Sequence, residues 1–421
     1  MREAVNRDIF LDRIQLQTGL KVRIMEGVEA NMMNYMAVLY ALNRSMPTFS
    51  RSNSIVMEVG GGRTEVMLLQ RGAMISSINV PVGSVRMEEQ LGEQVTGVEI
   101  SAFAKQLLRS PLNVLDSQLK LKKVSKFVAV GKEISLAAWL VGDHISDYYH
   151  TITRDDFIKL VKELESRDEA AIVKKYSLSY AELETFFYAM AVYYFVFIRS
   201  AAQEVIVPVT NLNKGVLLNR VQRDSKRGRK NYEKQVVASS LSLGAKYQID
   251  VNHSQEVHKI CLNIFHALKN EFSLTNDQKL YLRVAALLHD IGKFINTSAH
   301  HKHGQYIINN SEIYGLTAAQ LRIVGNIIRY HRKSAPKSSH SGFVNLPRKD
   351  RLTVLKCAAV LQLADALDSR HERLLTGSEF EVSGSEFLIH LKTGDCSLEK
   401  LSVKNRCDLF SEVFGLKVRF I

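Results

Sequence analysis

Leu287-Leu288-His289-Asp290-Ile291-Gly292-Lys293 decides how the C-terminal half of the chain is read. The apolar run from Tyr281 to Leu288 carries a histidine and an aspartate into a protein interior. A buried carboxylate is disfavoured by several kcal/mol unless it is paired, or else it takes up a proton. A divalent metal answers that cost. Side chains able to complete such a site lie on both sides: His253 upstream, and His300, His301, His303, His331 and Asp365 downstream.

The flanking periodicity is helical. Val257, Ile260, Cys261, Ile264, Phe265 and Leu268 fall on one face, and His253, four residues before Val257, extends that stripe. Leu280, Val284, Leu287 and Leu288 form a second stripe ending at His289-Asp290. Leu321–Tyr330 leads to His331, and Val354–Leu367 is an apolar helix with Asp365 near its end. Histidines and carboxylates on successive helices converge in a helical bundle, where imidazoles ligate transition metals and a carboxylate bridges two ions. The plain alternative, polar residues at helix ends, suffices for His258 and His340. It is strained for His253, His289, Asp290 and Asp365, which would sit among apolar neighbours. The expected ligand set is His253, His289, Asp290, His301, His303, His331 and Asp365, around a divalent metal such as Mn²⁺ or Mg²⁺. From Glu379 the period drops to two in Phe380–Val382, Phe387–Leu391 and Leu416–Phe420. With one helix expected from Ser397 or Leu398 to about Phe414, this predicts a small α+β domain.

The N-terminal half reads differently. Leu20–Met25 has the pattern of a strand, and the Met-rich Asn31–Leu42 that of a helix. Ser54–Val59 reads as a buried strand, followed by Gly60-Gly61-Gly62-Arg63-Thr64 and two further strands, Glu65–Leu69 and Ala73–Val80. The glycines present backbone N–H groups with no side chains in the way, which suits a phosphate; Thr64 offers a hydroxyl and Arg63 a charge. A glycine-rich hairpin without a ligand is the plain alternative. Lys126–Gly131 and Glu204–Val209 are further strands; Asp155–Glu165, Tyr180–Ala202 and a segment from Glu133 are helical. Strands interleaved with helices predict an α/β domain to about residue 222, where the charged run Arg223–Lys230 marks a boundary.

The formal charge is +13, with Lys and Arg gathered at Lys120–Lys126, Arg220–Lys234 and Arg329–Lys337. This favours a polyanionic partner. No zinc-finger or aromatic RNA-binding signature accompanies the charge, which argues against nucleic acid. The longest apolar stretch, Tyr188–Ile198, is too short to span a bilayer, and the sequence shows no signal peptide. Four cysteines without C-x-x-C spacing read as reduced thiols of a cytoplasmic protein.

The order His253, His289-Asp290, Asp365 resembles the HD superfamily of metal-dependent phosphohydrolases. Val56–Glu65 looks like the glycine-rich phosphate loop of exopolyphosphatases, and Glu26–Ala30 like their catalytic glutamate segment. His301–Ser311 and Arg329–Lys333 match the helical domain that these enzymes carry. The whole chain therefore resembles the exopolyphosphatase/guanosine pentaphosphate phosphatase (Ppx/GppA) family. The resemblance implies an α/β plus all-α protein: an actin-like (ribonuclease-H-like) α/β domain, a helical HD domain and a small α+β C-terminal domain. In residues, 1–50 would be a remnant of the first actin-like lobe, 51–222 the second lobe, 223–375 the HD domain and 376–421 the last.

It further implies release of terminal phosphate from polyphosphate or guanosine pentaphosphate with Mg²⁺, by a cytoplasmic homodimer whose partners are polyphosphate or guanosine penta- or tetraphosphate. Glu29 would be the base that orients water, Gly60, Gly61, Gly62, Arg63 and Thr64 the phosphate cradle, and Glu58 and Glu65 the carboxylates beside metal and water. Charge neutralisation and a positioned water are what displacement at phosphorus needs. Several positions depart from the family pattern. The opening Asp-x-Gly-Ser-Asn-Ser loop has no counterpart, so the first lobe is expected to be largely missing. Glu58 replaces a usual Asp, Arg63 a small hydroxyl residue, Val130–Ser135 lacks the usual Gly-Ser-Gly-Thr character, and Thr210–Gly215 replaces a loop with Asp-Gly. Two other expectations follow from that erosion: an HD-domain hydrolase of a nucleotide or phosphate ester with a vestigial phosphate loop, or a non-catalytic polyphosphate- or alarmone-binding regulator.

Overall fold

The computed structural model describes all residues except 1–4, 93–96, 167–168, 224, 333–334, 338, 373–377 and 392–395. The chain divides into two units, Met1–Tyr232 and Glu233–Ile421. The expected edge between residues 375 and 376 lies outside the described residues.

The first unit is built on a seven-stranded mixed sheet. β1 (Ser54–Val59), β2 (Thr64–Gln70) and β3 (Ala73–Val80) form an antiparallel meander. β4 (Lys126–Val130) pairs parallel to β1. β5 (Asp143–Ser146) and β6 (Tyr149–Thr153) form a hairpin, and β7 (Glu204–Pro208) lies between β4 and β6, giving the order β3-β2-β1-β4-β7-β6-β5. Along β1 and β2 the period of two assigns the faces. Ile55, Met57, Val59, Val66 and Leu68 join one apolar core with residues of helices Gly97–Gln118 and Tyr180–Phe197. Glu58 and Glu65 turn to the opposite face, which helix Gly27–Ser45 covers. That helix runs beside Leu212–Arg223, and a Cβ at Gly215 would collide with the Met33 backbone, so only glycine permits the approach.

Tyr193, fully buried, ties the sheet together where its parallel strands end. Its hydroxyl donates to Val130 O at 2.6 Å and accepts from Val59 N at 2.9 Å, joining β1 and β4 just before Gly60 and Gly131. Helix Tyr180–Phe197 stops short of the expected Ala202. The Arg154 guanidinium takes the carbonyls of Ile198, Ser200 and Ala202 at 3.0, 3.4 and 2.7 Å, which satisfies groups a longer helix would have used. The expected strand Leu20–Met25 is not one. It pairs with no described strand, and its Leu20 and Val22 are exposed; an alternating pattern makes a strand only where a sheet edge receives it.

In the second unit five helices make the bundle: Val251–Leu268, Asn276–Leu288, His300–Asn309, Ala318–Arg329 and Arg348–Leu367. Asp250 caps the first through the amides of Asn252 and His253, and Thr275 with Gln278 and Thr317 with Gln320 form capping boxes on the second and fourth. A Cβ at Gly292 would strike the His300 backbone, so glycine lets the turn Ile291–Phe294 lie against the third helix. The bundle carries a three-stranded sheet of β8 (Glu379–Ser383), β9 (Glu386–His390) and β10 (Lys417–Phe420), with β9 central. The single helix expected between β9 and β10 is two, Ser397–Lys404 and Asp408–Phe414, which pack on Arg348–Leu367. Their junction frees Arg406 to reach Asp365. Among the described residues no helix is long and apolar enough to cross a membrane. All four cysteines are free.

His258 supplies a pH test of the bundle. Burial, then the nearby Arg283, Lys259 and Lys279, lower its imidazole to about 4. Arg283 Nε donates to His258 Nε2 at 3.2 Å, a bond that only the neutral ring accepts. Protons are therefore taken up on unfolding between about pH 6.5 and 4, and stability falls as pH falls through that window. We expect denaturant titrations of His258→Gln to lose on the order of 2 kcal/mol less than wild type between pH 7 and pH 4.5.

Candidate functional site

Four histidines of the second unit converge, and the tautomer of each is set from behind. His253 Nδ1 donates to Asp368 Oδ2 at 2.7 Å, His289 Nδ1 to Ala286 O at 2.8 Å, His300 Nδ1 to Thr297 O at 2.9 Å and His331 Nδ1 to Ile328 O at 2.6 Å. Each Nε2 is then left to face the interior. These atoms meet in pairs, His253 with His289 at 3.2 Å and His300 with His331 at 3.3 Å. Two lone pairs that close repel unless a proton or a cation lies beside them.

Asp290 stands between the pairs. Its Oδ2 lies 3.4 Å from His289 Nε2 and 3.9 Å from His253 Nε2, and its Oδ1 lies 3.4 Å from His300 Nε2. It thus belongs to two groups with metal-ligand spacing, His253–His289–Asp290 and Asp290–His300–His331. Asp365 Oδ1 is 3.5 Å from both His253 Nε2 and His289 Nε2, while its Oδ2 accepts from Arg406 at 2.8 Å. Lys293 donates to Asp290 Oδ2 at 2.5 Å.

The electrostatics split the cluster in two. Burial pulls His289 down, but Asp290 and Asp365 outweigh it and raise the imidazole to about 10. Burial likewise pulls His253 down, but its hydrogen bonds to Asp365 and Asp368 outweigh burial and raise the imidazole. Burial, with His289 beside it, drops His331 to about 3, and burial lowers His300. Both carboxyls, despite burial, are held below the usual range by the histidines. In the absence of an ion a proton on His289 thus balances the first group, while the second offers two neutral imidazoles. The donors, all imidazole nitrogen and carboxylate oxygen with their outer atoms already bonded, fit one or two divalent transition metals.

Of the expected ligands, His253, His289, Asp290, His331 and Asp365 are gathered here. His301 and His303 are not: both are half-buried and stand outside the two groups, and His300, buried, takes the place given to them. The register explains it, because His300, Gly304, Ile307 and Ile308 form the buried face of their helix. Sequence reasoning also missed Asp368, although it follows Asp365 by one helical step of three, and Arg406, which no local pattern marks.

In the first unit, Glu58 and Glu65 are direct neighbours across β1 and β2. Helix Gly27–Ser45 meets both with amides. Asn34 Nδ2 donates to Glu58, and Asn31, its amide turned so that nitrogen faces inward, donates to both oxygens of Glu65 while accepting from Ser77. Glu29 lies on the same helix, where it accepts from the Glu26 amide at 3.2 Å in a capping box and from Arg23 at 2.6 Å. Gly61 and Gly62 are exposed and Gly60 and Arg63 half-buried; the Gly60 amide closes the turn onto Arg63 O at 2.9 Å. Ser84 N and Arg86 N, from the first turn of helix Ser84–Leu91, donate to Gly60 O and Gly61 O at 3.1 and 2.9 Å. Thr64 does not join a phosphate cradle. It is fully buried on the opposite face and its hydroxyl donates to Val82 O at 2.7 Å, as the alternation of a strand requires.

Residues 1–224 match the Ppx/GppA phosphatase family, and residues 237–405 match Ppx/GppA phosphatase, domain III. The chain belongs to the Ppx/GppA phosphatase family. Two curated relatives, each a guanosine-5'-triphosphate,3'-diphosphate pyrophosphatase, come from Photobacterium profundum and Pseudoalteromonas atlantica. They are 20% and 22% identical over 373 and 374 residues, spanning 86% of this chain and 69% and 70% of their own length. Among solved structures, the Aquifex aeolicus Ppx/GppA family member aligns at a TM-score of 0.43 and 21% identity, covering 53% of this chain and 72% of that one.

Two predictions follow from this geometry. Asp368→Asn leaves His253 without its carboxylate partner and should weaken Mn²⁺ binding about 10–100-fold in equilibrium dialysis. A Cβ at Gly83 would run into the carbonyls of Gly60 and Gly61, so Gly83→Ala should destabilise the protein by about 1–3 kcal/mol in denaturant unfolding.

Proposed function

We propose that this member of the family hydrolyses terminal phosphates of guanosine pentaphosphate or inorganic polyphosphate, with Glu29 as the base that orients the attacking water. The observation that carries this is the family match over residues 1–224, which encloses Glu29, Glu58, the glycine turn and Glu65. The two relatives act on guanosine-5'-triphosphate,3'-diphosphate by name, and the +13 charge suits a polyanionic substrate. The strand order, a meander of three antiparallel strands followed by two parallel ones, supports reading the first unit as an actin-like lobe. Mg²⁺ would suit the oxygens of Glu58 and Glu65, where it would supply charge neutralisation. Glu29 acts as a base when Arg23, largely exposed, leaves its carboxylate. Gly61 and Gly62 present the turn's backbone to phosphate, and Arg63 adds a charge beside it.

A second reading is favoured by one observation, the carboxylate of Asp290 shared between two ligand groups. The bundle is then an HD domain that hydrolyses a phosphate ester or nucleotide with bound divalent metal, and its imidazoles suit Mn²⁺ or a softer ion better than Mg²⁺.

Phosphate release from guanosine pentaphosphate and from long-chain polyphosphate tests the first reading. With Mg²⁺, Glu29→Gln should lower kcat at least 100-fold, because Gln still accepts at the helix cap but takes no proton. Asp290→Ala should leave that rate within about threefold. Loss of release on Asp290→Ala, with Glu29→Gln unaffected, would transfer the chemistry to the bundle.

A further inference from the structure

The helices Ser397–Lys404 and Asp408–Phe414 reach the histidine–aspartate cluster in two places: Arg406, at their junction, binds Asp365, and Glu399 binds Arg370. Glu399 is 1% exposed, and both its carboxylate oxygens accept from Arg370, Oε1 from Nε at 2.8 Å and Oε2 from Nη2 at 2.7 Å. A bidentate pair of this kind fixes direction as well as charge. Arg370 lies in the short turn that leaves helix Arg348–Leu367, between the two residues that grip His253. Asp368, on one side, binds His253 Nδ1. His371, on the other, stacks flat on the His253 ring, with centroids 3.6 Å apart and planes 2° apart, and its Nδ1 lies 3.3 Å from Asp250 Oδ2.

The turn has an uncommon backbone. His371 holds a φ of 58°, in the left-handed region that few non-glycine residues adopt and that a surrounding restraint stabilises. The Glu399–Arg370 pair is a restraint of that kind, with Arg370 next to His371 in sequence. We infer that Glu399 and Arg370 are positioning residues of the histidine–aspartate cluster. Through them the C-terminal helices hold Asp368 and His371 on either side of His253 and so set the cluster's affinity for a divalent ion. The inference rests on the metal reading of that cluster.

The test is titration of Mn²⁺ and of Co²⁺ into the full chain by calorimetry, with the Co²⁺ absorption spectrum as a second readout. Wild type is compared with Glu399→Gln and Arg370→Lys, each with its thermal midpoint. Glu399→Gln keeps the shape and removes the charge; it should weaken Mn²⁺ binding about tenfold and alter the Co²⁺ bands. Arg370→Lys keeps the charge and loses the fork, and should fall between. A purely structural role predicts a lower thermal midpoint, with unchanged affinity and spectrum below it, and that result overturns the inference while leaving the metal reading intact. Absence of Mn²⁺ and Co²⁺ binding in folded wild type overturns both.

Discussion

Asp290 is the constraint round which the second unit is arranged. A carboxylate that is 7% exposed needs positive charge within reach, and here Lys293 and the imidazoles of His289, His253 and His300 supply or accept it. The imidazoles in turn are committed from behind. Three give their Nδ1 protons to carbonyls three residues earlier on their own chain, and His253 gives its proton to Asp368. The helix ends meet here: His289 and His331 follow the last turns of their helices, while His253 and His300 stand in the first turns of theirs. A polar core that merely satisfied itself would pair donors with acceptors at Nε2 as well. This one sets Nε2 against Nε2.

The first unit solves a different problem. Glu58 and Glu65 face one another across antiparallel strands, an arrangement that like charges disfavour. Asn31 and Asn34, one helical step of three apart, place an amide against each. Glu29, two residues before Asn31, rides on the same helix, and the Gly60 turn follows β1 directly. One helix packed on one face of a meander thus satisfies the paired carboxylates Glu58 and Glu65, while Glu29, near its start, is held by Arg23 and the Glu26 amide. Tyr193, bonding β1 to β4 from the opposite face, keeps the ends of those strands level.

The sequence was most legible where periodicity met burial. The stripes ending at His253 and His289, the three strands around Gly60 to Gly62 and the three late strands were readable because burial on one face leaves a period of 3.6 or 2. The sequence left the choice among His300, His301 and His303 open and its ligand set carried the last two; the register decides for His300, where the buried stripe of that helix begins. Assigning Thr64 to the cradle overlooked that adjacent strand residues face opposite ways. Leu20–Met25 had the pattern of a strand without an edge to join. Arg406 and Glu399 were not legible at all. Their partners lie 41 and 29 residues away, and only the packing of the last helices on Arg348–Leu367 makes them neighbours.

The two donor sets also differ in kind. Around Glu58 and Glu65 the ligating groups are carboxylate oxygens, which suit a hard ion that keeps its water. Around Asp290 four imidazoles dominate, and nitrogen donors favour transition metals in the Irving–Williams sense. His289 adds a further distinction, because Asp290 and Asp365 raise its imidazole to about 10, and a cation in its group would have to displace that proton. No such proton stands on the His300–His331 side, where burial keeps both rings neutral. The two halves of the cluster are therefore unequal in charge, one holding a proton and the other two neutral rings.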